Sequence, residues 1–497
     1  MAERLLGIDV GTSSVKGVVC DDDGTIRARA SFTLRTSMPR PGWVEQDADA
    51  DWWTGIRAVC DELLATEPRP AAVCVSGLGP CLLPTDEAGR PLRAAILYGV
   101  DTRAVAEIAE LEQRYGADAI VARGGSRLTT QAVGPKIAWL VRHEPEVWAS
   151  TRRVTTASSF AVLRLTGEYV LDHHTASQWD PLYDLRAGAW IDEWAAEIAP
   201  GVELPRLLWP GEVAGVVDER GERETGIPAG TPVAAGTVDA WAEALSAGVR
   251  APGDLMLMYG TTMFLVATAD APRPDARLWC TAGVLPGTFS LAGGMATSGA
   301  LTTWVRDLTG AAGYDELLGE AAAVPPGSDG LVVLPYFLGE RSPLFDPDAR
   351  GVVAGLTLRH GRGHLYRAML EATGYAVRHH LDVLDEIGAR PRRLVAVGGG
   401  TRGGLWPQVV SDVTGMTQEV PRETVGASYG AAMLAGAAVG LVDAGGDGWA
   451  QPDHEVRPRP EHADVYGRLY ELYRDLYPAT REQAHALARL QEDVMAS

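Results

Sequence analysis

The stretch Leu5-Leu6-Gly7-Ile8-Asp9-Val10, then Gly11-Thr12-Ser13-Ser14, then Val15-Lys16-Gly17-Val18-Val19-Cys20 decides how the rest of the chain is read. An apolar run, a turn of small hydroxyl residues and a second apolar run describe a β-hairpin with a tight polar tip. Asp21-Asp22-Asp23-Gly24 makes a second turn, and the alternation of Ile26, Ala28, Ala30 and Phe32 predicts a third strand. Half a chain later the same frame returns: Leu255-Met256-Leu257-Met258-Tyr259 leads into Gly260-Thr261-Thr262 and then Met263-Phe264-Leu265-Val266. Repetition of strand, Gly-Thr-hydroxyl turn and strand predicts a duplicated lobe.

Outward from these hairpins, helical periodicity appears over 239–247, 364–387 and 428–438, and 248–253 reads as the linker between halves because Pro252 and Gly253 break the preceding helix. The last segment, 463–490, is helical with a break at Pro478; Tyr466, Leu469, Tyr470, Tyr473 and Tyr477 fall on one face, a core stripe. Strands mixed with helices make an α/β protein. The expected division is 1–248, 249–443 and a C-terminal helical tail, 444–497.

The chain has 497 residues, 46% hydrophobic and 22% charged, the composition of a soluble protein with a large core. Its net charge of −21 repels a polyanionic backbone, so nucleic acid is excluded as a partner, and any phosphorylated ligand needs local cations or backbone N–H groups. Five cysteines without zinc spacing read as buried free thiols in a reducing compartment. No signal peptide is read at the start and no apolar run is long enough to span a membrane, so a cytoplasmic location is expected.

The first turn carries chemistry. Backbone N–H groups at Gly11, Thr12 and Ser13 can converge on an anion, with the Thr and Ser hydroxyls as further donors. Asp9, at the end of the preceding strand, can hold Mg²⁺ beside a triphosphate, and Lys16 adds positive charge. An ordinary hairpin with an exposed aspartate is the alternative; a second such tip at Gly260, Thr261 and Thr262 favours a phosphate clamp. The segment 232–244 reads as buried strand, turn and helix, with Asp239 near the helix start. That position suits a capping aspartate, and equally a general base that takes the proton of an attacking alcohol. Finally, a strand at 394–397 runs into Gly398-Gly399-Gly400, followed by Gly403, where backbone can approach a flat ligand. A dinucleotide fingerprint fits poorly, since no helix follows at once.

These pieces, with Gly339-Glu340-Arg341-Ser342-Pro343 and the run from Gly351-Val352-Val353-Ala354-Gly355-Leu356 to His364-Leu365-Tyr366-Arg367, occur in the order found in the FGGY carbohydrate kinases, which the chain resembles from Leu5 to about Gly440. Gly42-Trp43-Val44-Glu45-Gln46-Asp47 and Pro135-Lys136 before Trp139 look like the xylulokinase branch. The resemblance implies two ribonuclease-H-like (actin-like ATPase) domains with ATP and sugar in a central interdomain cleft, and allows a homodimer. It implies that Asp9 assists Mg²⁺, that Thr12 and Ser13 lie by the phosphates, that Asp239 is the catalytic base, and that Thr261 touches the γ-phosphate. Gly299, Thr303, Gly400 and Gly403 then fall at the nucleotide, and Tyr98, Asp101 and Arg103 in a sugar-lining loop.

One departure stands out. Xylulokinases commonly carry Gln-Met-His after a small-Gly pair, the histidine binding the ketose; here the place reads Ser76-Gly77-Leu78-Gly79-Pro80-Cys81, so Gly79 and Pro80 offer the sugar no polar side chain. The expected activity is ATP-dependent phosphorylation of a small sugar, a pentulose first. Another ketose, an alditol or an autoinducer-2-type substrate is the alternative acceptor, and an actin- or chaperone-like ATPase acting on a protein is the alternative of another class.

Overall fold

A computed structural model describes residues 3–67, 69–422, 425–443, 446 and 448–496. The chain forms two compact units, each assembled from separate stretches. The first comprises Met1–Ala251, Thr268–Ser290 and Val425–Ala450; the second comprises Pro252–Ala267, Leu291–Thr424 and Gln451–Ser497.

In the first unit the opening hairpin is β1 (Arg4–Val10) and β2 (Ser14–Asp21), antiparallel, with β3 (Ile26–Thr33) antiparallel beside β2. On the other side of β1, β4 (Ala72–Gly77) runs parallel to it, β6 (Pro232–Ala234) parallel to β4, and β5 (Val213–Val216) antiparallel at the edge. The order is β5-β6-β4-β1-β2-β3. β1 and β4 are buried on both faces, which is why they read as unbroken apolar runs rather than alternating ones.

The second unit repeats this plan. β7 (Asp254–Tyr259) and β8 (Met263–Ala269) form the second hairpin, β9 (Phe289–Met295) lies beyond β8, β10 (Arg393–Val397) runs parallel to β7, and β11 (Gln418–Pro421) and β12 (Pro452–Val456) follow, so that six of this sheet's seven strands run in the order β9-β8-β7-β10-β11-β12, the seventh, Trp279–Ala282, lying beside β9. The first strand of each hairpin has its antiparallel partner on one side and a parallel strand on the other, and in each sheet the edge beyond the parallel strands is an antiparallel strand. The duplication expected from two similar turns is therefore a duplication of sheet topology.

Helices Asp239–Ser246, Arg362–Glu386 and Ala427–Ala438 occupy the stretches with helical periodicity. The break expected at Pro478 does not occur: one helix runs Ala463–Ala496 with Pro478 inside. A proline removes one backbone hydrogen bond. Here Tyr466, Tyr470 and Tyr473 before it, and Ala484 and Ala488 after it, are all buried, so packing on both sides of the proline keeps the two halves in line.

The helix Ala427–Ala438 lies across β1, where a Cβ at Gly7 would sit 2.0 Å from the Ser428 carbonyl oxygen. It also packs against the helix Asp239–Ser246, where a Cβ at Gly430 would sit 1.8 Å from the Ala242 carbonyl oxygen. The small residues of 426–432 thus set how closely the helix bearing Asp239 is held. Gly430→Ala is expected to destabilise the protein by roughly 1–3 kcal/mol despite the better helix propensity of alanine, because the helices must separate; urea unfolding checks this.

Candidate functional site

The parallel register of β1 and β4 sets Asp9 opposite Ser76, and the chain returning from β6 lies alongside β4, with Gly77 N–H donating to the Thr237 carbonyl at 3.0 Å and Gly77 bridged to Val238. Asp9, Ser76 and Asp239 therefore stand at the carboxyl ends of neighbouring strands, where open α/β sheets bind ligands. The turn that makes this return needs Gly236 (φ 75°), whose Cβ would lie 2.0 Å from the Val75 carbonyl oxygen.

Asp9 is buried and accepts a 3.0 Å bond from the Ser76 hydroxyl. Burial raises its pKa to about 7, opposed by the Ser76 bond and by Lys16, and reinforced by Glu243. Burial also pushes Asp239 well above the usual carboxylate range, and the charge of Asp9 pushes it further. Asp239 is not the capping residue of its helix: Val238 is, and no side chain caps that end. Instead its own Oδ1 accepts from Ala240 N–H at 2.7 Å. Glu243, one turn on, is raised by burial and lowered by Lys16. Asp9, Asp239 and Glu243 thus share one electrostatic environment with Lys16 as its cation. Glu243 and Ser76 were not among the residues expected from sequence. Glu243 was findable from its i+4 spacing to Asp239; Ser76 becomes visible only with the strand register.

The tip of the first hairpin is held from several sides. Gly11 N–H donates to the Ser14 carbonyl, the Gln46 amide donates to the Thr12 carbonyl at 2.7 Å, and Leu34 N–H donates to the Ser13 carbonyl. The Thr12 hydroxyl lies 3.1 Å from the Tyr98 hydroxyl. The Tyr98 ring in turn packs on Gly79, where a Cβ would approach it to 3.0 Å. The Thr12 tip, Tyr98 and the Gly79-Pro80 turn are therefore continuous, and Cys81 beside that turn feels the charges of Lys136 and Asp239. Asp101 and Arg103 have another role. Their side chains are fully buried and paired at 2.7 Å, Asp101 also accepts from Val44 N–H, and the Arg103 guanidinium lies 4.1 Å from Trp43 and 5.0 Å from Trp139. They brace the loop that carries Tyr98 from within, rather than presenting their charges to a ligand.

In the second unit the remaining candidates converge on Tyr259 and Gly260. Gly299 N–H donates to the Gly260 carbonyl at 3.0 Å, and Ser298 and Ala300 N–H both donate to the Thr261 carbonyl at 3.1 Å. Helix Gly299–Thr309 is thus tied directly to the hairpin tip, and Thr303 on it pairs with the Tyr314 hydroxyl at 2.8 Å. From the other side, Gly398 (φ 92°) passes so close to Tyr259 that a Cβ would lie 2.5 Å from its carbonyl oxygen. Gly399–Gly403 form a short 3₁₀ turn before the helix Leu405–Thr414. Thr261, Gly399 and Gly403 are exposed, leaving backbone and a hydroxyl open to a ligand.

Among the described residues, no group of three or more His, Cys, Asp or Glu could hold a metal by itself, no helix is long and apolar enough to cross a membrane, and the five cysteines are free and buried.

Comparison with known proteins places these features in a family. Residues 4–246 match the N-terminal domain of the FGGY family of carbohydrate kinases and residues 255–439 its C-terminal domain. A xylulose kinase of Escherichia coli is 30% identical over 448 residues, covering 86% of this chain and 89% of its own. A glycerol kinase of Symbiobacterium thermophilum is 32% identical over 458 residues, covering 88% and 90%. The crystal structure of xylulose kinase from Rhodospirillum rubrum superposes with a TM-score of 0.91 at 35% identity, over 97% of this chain and all of that one.

A carboxyl with its pKa raised by burial keeps in the folded state a proton that the unfolded chain gives up, so Asp9 costs stability as pH rises from about 4 through 7. Asp9→Asn is therefore expected to raise the melting temperature by roughly 2–5 °C at pH 8, with the gain shrinking toward pH 4. Thermal unfolding at the two pH values checks it.

Proposed function

The chain belongs to the FGGY family of carbohydrate kinases and phosphorylates a small sugar with ATP, and on that premise we propose that the acceptor is a pentulose and that Asp239 takes the proton of its attacking hydroxyl. The observation that carries this reading is the shared field of Asp9 and Asp239 at the carboxyl ends of neighbouring strands. An alcohol attacking a phosphoryl group must lose its proton, and a carboxylate held above its normal pKa is a stronger base for that step. The Oδ1 atom of Asp239 is anchored by Ala240 N–H, so the carboxylate is oriented with Oδ2 left to accept the proton. Relatives named xylulose kinase, over most of their length, support a pentulose as the acceptor class.

The acids fit a magnesium ion. Asp9 is an oxygen donor where Asp239 and Glu243 add negative charge, and an ion of this kind binds through one or two carboxylates together with phosphate oxygens and waters. When bound, Mg²⁺ neutralises charge on the transferring phosphoryl group. The work of the chain itself is positioning. Ser76 orients Asp9, Lys16 moderates the acid cluster, and the Gly260–Thr262 tip with Gly299, Gly399, Gly400 and Gly403 forms the nucleotide cradle. Tyr98 and the Gly79-Pro80 turn wall the sugar. Pro80 offers the ketose no hydrogen bond, so recognition of the hydroxyls falls to neighbouring groups.

Asp239→Asn is expected to lower kcat by roughly 10²–10⁴-fold with the fold intact. ADP release measured across ketopentoses, alditols and aldoses tests both parts of the proposal. Sugar-dependent release strongest with a pentulose supports it; an active Asp239→Asn enzyme, or hydrolysis indifferent to every sugar, contradicts it.

A further inference from the structure

The segment Gly339-Glu340-Arg341-Ser342-Pro343 plays no part in the chemistry above, yet it carries a buried carboxyl. Glu340 is 6% exposed, and its Oε1 accepts from Ala296 N–H at 2.9 Å and from Arg341 N–H at 2.7 Å. Two residues on, the Ser342 hydroxyl accepts from Gly294 N–H at 2.6 Å and lies 2.9 Å from Nε2 of buried His380. Next to Ala296, the Thr297 hydroxyl donates to the Pro335 carbonyl. The stretch 335–342 therefore grips the stretch 294–297 at three successive points. Immediately after that grip come Ser298, Gly299 and Ala300, whose N–H groups hold the carbonyls of Gly260 and Thr261.

We propose that Glu340 is a positioning residue for nucleotide binding: by fixing Ala296 it sets the place of the 298–300 turn, and through that turn the place of the Gly260–Thr262 tip. The inference rests on the reading of that tip as the ATP cradle. Glu340 is itself anchored from behind. It exchanges backbone hydrogen bonds with Asp346, at 2.8 and 3.0 Å. The Asp346 carboxylate accepts from the Tyr477 hydroxyl at 2.5 Å and lies 2.7 Å from His485 Nε2, both on the C-terminal helix, and the Tyr336 hydroxyl lies 2.8 Å from that of Tyr473. A chain of contacts runs from the C-terminal helix through Asp346 and Glu340 to the phosphate-facing hairpin. Burial raises the Glu340 pKa to about 8 against the pull of the two N–H donors, which fits a group kept for its acceptor geometry rather than for its charge.

That distinction gives the test. In the full-length enzyme, Glu340→Ala is expected to raise KM for ATP by roughly 10- to 100-fold, because a misplaced cradle loses its geometry. Affinity for the sugar, measured calorimetrically without nucleotide, should be unchanged. Glu340→Gln keeps an oxygen acceptor at the same place and is expected to hold KM for ATP within about threefold of wild type. A folded Glu340→Ala enzyme with wild-type ATP parameters overturns the proposal, as does a Gln variant as impaired as the Ala variant, or sugar affinity falling in step with ATP affinity. If Glu340→Ala does not fold, Ser342→Ala reads the neighbouring grip: a raised KM for ATP at unchanged sugar affinity supports the proposal and an unchanged KM overturns it. Binding of a fluorescent ADP analogue to the same variants separates this from the functional reading. Nucleotide affinity that depends on Glu340 in a protein that phosphorylates no sugar would contradict the assigned activity and leave the tether standing.

Discussion

Two carboxyl groups buried close together cannot both ionise without a cation or a strong set of donors, because each raises the cost of charging the other. Asp9 and Asp239 are held in that relation by backbone, not by side-chain preference. The parallel pairing of β1 with β4 brings Asp9 level with Ser76, and the Gly236 turn lays the next segment along β4 so that its helix starts with Asp239. Glu243 adds to the acidity of the place, and Lys16 offsets it. The result disfavours an empty, fully ionised site, which is what the proposed magnesium and phosphate would relieve. A site of this kind trades folding stability for chemistry.

The second unit solves a different problem with the same sheet plan. Its hairpin tip carries no acid; it carries Gly260, Thr261 and Thr262, and its neighbours are N–H groups and glycines. Close approach replaces charge: helix Gly299–Thr309 is bonded to the tip, and Gly398 passes against Tyr259 where no side chain would fit. In an acidic chain, the phosphate binding proposed for this tip relies on local dipoles rather than on the overall field. The buttress behind the tip, from the C-terminal helix through Asp346, Glu340 and Ala296, uses groups far apart in sequence to fix one short turn.

Much of this was legible in the sequence because it is local. The strand-turn-strand frames at Gly11 and Gly260 depend on residues adjacent in the chain, and so does the strand and helix around Asp239; their topology in the fold follows the sequence reading. Features that depend on distant pairing were not legible. Ser76 joins Asp9 only through register, and Glu340 meets Ala296 across forty-four positions. The resemblance put Asp101 and Arg103 in a sugar-lining loop; in the fold the two side chains are buried and paired, Arg103 also with Glu45, and Trp43 and Trp139 lie around the guanidinium. Pro478 misled for the opposite reason: a local breaker was outvoted by tertiary packing on both of its sides. The place of Asp239 near a helix start suited a cap as well as a base, and the structure gives the capping position to Val238.

The most direct test of the account is a carboxyl ¹³C titration of aspartate-labelled protein without ligands, with the Asp9 and Asp239 signals assigned from the variants that lack each one. Mutual repulsion predicts that the Asp239 midpoint falls by about one unit or more when Asp9 is asparagine. An Asp239 titration indifferent to Asp9 would mean that the two acids do not share a field, and the assignment of one to the metal and the other to the proton would fall with it.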